Sequence, residues 1–171
     1  MKILVFGHSG QVATELRALD GDDVQITALA RADADLTDPA ACAAAINAYA
    51  PDAVINAAAY TAVDKAESDA KTAQIINADA PLTMARACAA RDIPFVSIST
   101  DYVFSGVGGT PWAPTDPTDP QSVYGRTKRD GEVAIVKAGG RYAVLRTSWV
   151  VSAMAITSLR PCCDWEPNAR H

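Results

Sequence analysis

The chain predicts an α/β fold, a doubly wound sheet of parallel strands. Three observations carry that expectation. Short apolar runs alternate with alanine- and leucine-rich helical stretches across residues 1–150, the βαβαβ order of a parallel sheet. The first run, Ile3-Leu4-Val5-Phe6, ends in a glycine turn that opens a helix. Hydroxyl and acidic side chains gather at Ser99-Thr100-Asp101, at the carboxyl end of a later run, where ligands of open α/β sheets collect.

Taken in order, Lys2 to Phe6 suits a buried strand. Gly7-His8-Ser9-Gly10-Gln11-Val12-Ala13 is a G-x-x-G-x-x-A variant of the dinucleotide-binding turn. The first glycine permits the turn, the second lets backbone approach a pyrophosphate, and a small third residue lets helix pack on strand. The N–H groups opening that helix, which continues through Leu19, can receive phosphates. Val24 to Ala30 reads as a second strand ending at Arg31. An acid near that position would bind a ribose 2′-hydroxyl, whereas an arginine accommodates a 2′-phosphate and tilts the cofactor toward NADP. A solvated arginine at a strand end is the plainer alternative.

Asp38 is placed as the N-cap, and Pro39 as the first residue, of a helix reaching Tyr49. Asp52 to Asn56 is a third strand that leaves through three alanines; such small residues allow close approach to a nucleotide or simply tight packing. One long helix is expected over about Ala70 to Arg91. Ile93 to Ser99 is the next strand, and a hydroxyl from Ser99 or Thr100 is placed to hydrogen-bond a substrate carbonyl. Gly106 to Pro120 is long enough for a functional loop. A helix carrying Tyr124 and Lys128 follows, then a strand from Arg141 to Ser148 ending at Trp149.

Tyr124 and Lys128 stand four apart, hence on one face of a helix. A phenol of pKa about 10 is a poor acid near neutral pH, and an ammonium beside it favours the phenolate. The pair is therefore an acid–base device for a carbonyl or alcohol, although the same spacing is common on solvated helices.

Composition narrows the partners. With 171 residues, 49% hydrophobic, and a net charge of -5, the chain has one domain's worth of length and argues against nucleic acid or an anionic membrane as main partner. No apolar run approaches the ~20 residues of a bilayer span. Cys42, Cys88, Cys162 and Cys163 lack framework spacing and read as reduced thiols of a cytoplasmic protein. With only His8 and His171, no metal site is expected.

The stretches FGHSGQVATEL, INAAAYTAVDKAESD, SISTDYVFSG, PWAPTDPTDPQSVYGRTKRDGE and LRTSWV make residues 1–153 resemble dTDP-4-dehydrorhamnose reductases, a family of extended short-chain dehydrogenase/reductases. The resemblance implies a Rossmann-type sheet and reduction of the 4-keto group of dTDP-4-dehydro-L-rhamnose to dTDP-L-rhamnose, with NADPH as cofactor and NADH also allowed. It implies Tyr124 as the proton donor and Thr100 as its hydroxyl partner. Lys128 would lower the tyrosine pKa and hold the nicotinamide ribose. Asp101, Tyr102 and Trp149, with Thr100, match positions lining the sugar site. Gly7, Gly10, Gln11, Val12, Asp35, Leu36, Ala59, Tyr60 and Thr61 match cofactor contacts. A homodimer, as in full-length relatives, stays open. Ala13 stands where a glycine is usual, and Val151 where the family prefers an aromatic.

Beyond Ala153 the resemblance stops, so the expected division is a nucleotide-binding domain over 1–150 and an aberrant tail over 151–171. Family members continue into a smaller domain that closes over the nucleotide-sugar, which is expected to be missing here. The tail from Met154 to His171 is expected to be frameshifted. A DNA sequence encoding all 18 of its residues, read one base earlier, yields HGNNFVKTMLRLGAEREA, which looks like the family's continuation. Two other readings are a nucleotide-sugar epimerase or dehydratase, and a non-catalytic NADP-binding regulator similar to the beta subunit of methionine adenosyltransferase. Retention of Thr100, Tyr124 and Lys128 together favours catalysis over the latter.

Overall fold

A computed structural model describes residues 1–151, so the frameshift expected over Met154–His171 lies outside the described residues. Five strands, β1 (Lys2–Phe6), β2 (Gln25–Leu29), β3 (Ala53–Asn56), β4 (Phe95–Thr100) and β5 (Tyr142–Thr147), form one sheet in the order β2-β1-β3-β4-β5. Every pairing is parallel. The expected doubly wound α/β sheet is therefore the fold. From β1 the chain goes to one side for β2 and to the other for β3, which places the switch point, and the ligand crevice of such sheets, between β1 and β3.

The crossovers are helical: α1 (Gln11–Arg17), α2 (Pro39–Tyr49), α3 (Val63–Ala66), α4 (Ala70–Gln74), α5 (Ala80–Ala89) and α6 (Val123–Ala138). Asp38 caps α2, its Oδ1 accepting from the N–H groups of Ala40 and Ala41 at 3.1 and 3.2 Å. Ser122 caps α6 by accepting from Gly125 N at 3.1 Å. Leu4, Phe6, Ile46, Val54, Met84 and Phe95 anchor the core, each at most 1% exposed.

One expectation is corrected. The single helix expected over Ala70–Arg91 is interrupted by a turn of π-helix at Ile75–Asp79 and ends at Ala89. Pro81, at the start of α5, lacks the N–H that an α-helix would donate to the Asn77 carbonyl, so the sequence does carry a local signal for the break. The turn also has a tertiary setting. Gly131 of α6 packs so closely on this turn that an added Cβ would overlap the Asn77 carbonyl oxygen.

Candidate active site

At the switch point, Gly7 ends β1 with φ +114, and a Cβ there would meet the Ala57 carbonyl carbon at 3.3 Å. Only glycine joins that conformation to that closeness. Gly10, the N-cap of α1, has no side-chain cap, and a Cβ on it would meet nothing within 4 Å. The backbone there borders open space in front of helix N–H groups, which suits a pyrophosphate. Gln11 and Val12 begin α1, and Ala13 is fully buried, packing the helix down. Arg31 follows β2 and is ion-paired, Nε to Asp35 Oδ2, at 2.9 Å. The Thr37 backbone N–H, then Arg31, hold the Asp35 carboxyl below its usual range. Leu36 is buried in the core cluster, so its side chain packs the sheet. Ala59, Tyr60 and Thr61 leave β3 beside this crevice, with Tyr60 held by its backbone.

The second group lies at the carboxyl end of β4. Burial raises the pKa of the Tyr124 phenol, and Thr100 beside it opposes the rise without reversing it. Thr100 Oγ1 also donates to Asp101 Oδ1 and accepts from Tyr102 N, both at 3.2 Å. The Tyr102 ring meets Tyr124 edge to face, with centroids 5.6 Å apart. Lys128 is 5% exposed, and its Nζ donates to the Ile98 carbonyl at 2.7 Å. Burial lowers its pKa to about 8, opposed by Glu132. The expectation that Lys128 lowers the tyrosine pKa is corrected at this point: the phenol is raised, because desolvation dominates and the ammonium is spent on a backbone carbonyl. Trp149 lies past β5 and is 73% exposed.

Sequence reading missed three side chains that hold these groups in place. Asn77 Oδ1 accepts from Tyr60 N at 2.9 Å, and its Nδ2 donates to the Tyr60 carbonyl at 3.2 Å and to Thr127 Oγ1 at 3.1 Å. It thereby ties the loop after β3 to the helix bearing Tyr124. Glu132 accepts from Ser99 Oγ at 2.5 Å and takes a bidentate pair from Arg146 at 2.9 and 2.7 Å. Arg146 also donates to the Pro114 carbonyl at 3.1 Å and lies 4.9 Å from the Phe104 ring centroid, itself stacked on Trp112. The available signal was polarity in apolar settings: Asn77 in an alanine-rich helix, Glu132 one turn beyond Lys128, Arg146 inside a strand. Among the described residues no cluster of His, Cys, Asp and Glu could hold a metal.

Residues 1–157 match the family model described as "RmlD substrate binding domain". The chain belongs to the RmlD family. A dTDP-4-dehydrorhamnose reductase of Sinorhizobium fredii is 43% identical over 152 residues, covering 89% of this chain and 51% of that protein. A dTDP-4-dehydrorhamnose reductase structure from Clostridium acetobutylicum superposes with TM-score 0.88 at 36% identity, over 95% of this chain and 58% of the other. One from Bacillus anthracis, in complex with NADP, also gives 0.88, at 26% identity and the same coverage. The chain thus spans a little over half the length of these RmlD relatives. Among the described residues no helix is long and apolar enough to cross a membrane.

Proposed function

We propose that this chain is the nucleotide-binding and proton-donating part of a dTDP-4-dehydrorhamnose reductase, which reduces the 4-keto group of dTDP-4-dehydro-L-rhamnose with NADPH. The observation that carries this reading is the placing of Thr100, at the carboxyl end of β4, beside the half-buried Tyr124 phenol, with Lys128 buried one turn further along α6, on the same sheet rim as the glycine crevice, in a chain of the RmlD family.

The residues fit the cofactor. Gly7 and Gly10 leave the backbone bare where a pyrophosphate would lie, and Arg31, positioned by Asp35, suits a 2′-phosphate. Gln11, Val12, Ala59, Tyr60 and Thr61 would complete its walls, and Lys128 would face the ribose. When bound, NADPH supplies the hydride. Burial keeps the Tyr124 phenol protonated, ready to give its proton to the carbonyl oxygen as that oxygen becomes a hydroxyl. Thr100 lies beside the phenol and opposes the rise in its pKa. Asp101, Tyr102 and exposed Trp149 would border the sugar.

Residues 1–150 form the nucleotide-binding domain in this reading, and 151–171 are an aberrant tail, frameshifted from Met154 onward. The test is NADPH oxidation with dTDP-4-dehydro-L-rhamnose by this chain and by a version with the frame restored after Ala153. The restored chain is expected to turn over at about 1–1000 per second, and the present chain far more slowly. Tyr124→Phe in the restored chain should remove most of that rate, by a factor of about 100 or more. NADPH binding without turnover in the restored chain would overturn the reductase reading and favour a non-catalytic regulator.

A further inference from the structure

Glu132 is 8% exposed, on the face of α6 turned to the sheet, one helical turn beyond Lys128. Its carboxylate is held from two strands: Ser99 Oγ of β4 at 2.5 Å, and the Arg146 fork of β5 at 2.9 and 2.7 Å. A buried ion pair costs desolvation that its attraction barely repays, so stability alone is a poor reason for one here. What it does possess is location. Asn77, Ser97, Ile98, Ser99, Lys128 and Glu132 border one small internal space.

We infer that Glu132 is a positioning residue for Lys128: clamped by Ser99 and Arg146, it supplies the fixed counter-charge that lets a buried ammonium stand beside the proton donor. The role given to Lys128 rests on the reductase reading, whereas the coupling between the two side chains does not.

The surroundings leave Glu132 as the group able to do this among the described residues. On α6 the titratable neighbours of Lys128 are Tyr124 and Glu132. From β4 it meets the neutral Ile98 carbonyl and the hydroxyls of Ser97 and Ser99, and from the π turn the neutral amide of Asn77. Arg146 of β5 directs its charge at Glu132. Asp101, at the end of β4, acts on Tyr124. Burial draws the Lys128 pKa down to about 8, and the Glu132 charge is the force opposing it.

The experiment is a titration of the lysine ammonium by nitrogen-detected NMR in the full 171-residue chain, comparing parent with Glu132→Gln. The expected result is a Lys128 midpoint lower than the parent's, with an unchanged circular-dichroism spectrum. A folded Glu132→Gln whose Lys128 midpoint has not moved overturns the inference. If that variant fails to fold, the double change Glu132→Met with Arg146→Met removes the pair without stranding a buried charge. Its midpoint is compared with that of Arg146→Met alone: a lower midpoint in the double variant supports the inference and an equal one overturns it. NADPH binding by the parent is measured alongside. Its absence would count against the reductase reading while leaving the Lys128 result standing.

Discussion

Helix α6 is joined to the molecule by two faces that work on different physics. Toward the π turn and the short turn after β4 it meets backbone with backbone: Gly131 lies on the Asn77 carbonyl of the first, and an added Cβ on Gly125 would overlap the Tyr102 carbonyl of the second. Toward β4 and β5 it meets charge with charge, through Lys128, Glu132 and Arg146. The first face has no room for a methyl group and is indifferent to pH. The second tolerates changes of shape and responds to protons. Tyr124 sits between them, and its phenol is raised by burial, with Thr100 opposing the rise and Asp101 and Tyr102 adding to it.

The hardest way to break the steric face is Gly131→Ala. Because the atom met is backbone, the helix must move, and a loss of about 3 kcal/mol is expected. A urea titration should show a lower midpoint at unchanged slope. An unaltered midpoint would mean that the π turn yields freely. The ionic face is probed with Lys128→Met across pH. An unfolded lysine keeps its proton up to about its ordinary 10.5, while the folded one releases it near 8. The unfolded state therefore binds more protons in that window, and the parent should gain stability relative to Lys128→Met as pH rises through it. A constant difference would refute the buried-ammonium picture.

Gly7→Ala extends the comparison to the crevice. With φ +114 and the Ala57 carbonyl carbon 3.3 Å from the new Cβ, it should cost about 1–2 kcal/mol in thermal or urea unfolding. Smallest of all is Leu145→Thr on β5, where the side chain is half exposed on an edge strand. Stability should change by no more than about 0.5 kcal/mol, while light scattering should report less self-association. An equal loss at Gly7 and Leu145 would erase the distinction between interior joint and open edge.

The strands were legible because each is a short apolar run ended by a polar or glycine break, as in Ile3–Gly7 and Phe95–Asp101. Asp38 and Pro39 announced α2 through capping chemistry that acts within four residues. Thr100 could be placed at a strand's carboxyl end from its position in the apolar run, and Tyr124 with Lys128 on one helix face from spacing, whereas the partnership of Thr100 with Tyr124 came from the family resemblance. What escaped depends on contacts between distant segments. The π turn at Ile75–Asp79 was overlooked although Pro81 breaks the α-helical bond to Asn77 locally, and the close approach of Gly131, more than fifty residues away, shows only in the fold. Glu132 and Arg146 read as ordinary surface charges until α6 and β5 are brought together. The sign of the Tyr124 shift was missed for a related reason: spacing along a helix says which side chains share a face, while desolvation depends on everything packed over them.

The π turn also makes segment length a coded quantity. Deleting one residue from Ile75–Asp79 would remove the extra residue of the π turn and leave Pro81 inside the continued helix. It would also rotate α5 by about 100° and draw it back about 1.5 Å relative to α4. Ala80, Met84, Ala85 and Cys88, all now buried, would turn away from the sheet. A frame-preserving loss of a single codon there would thus injure the fold more than many substitutions at the same positions.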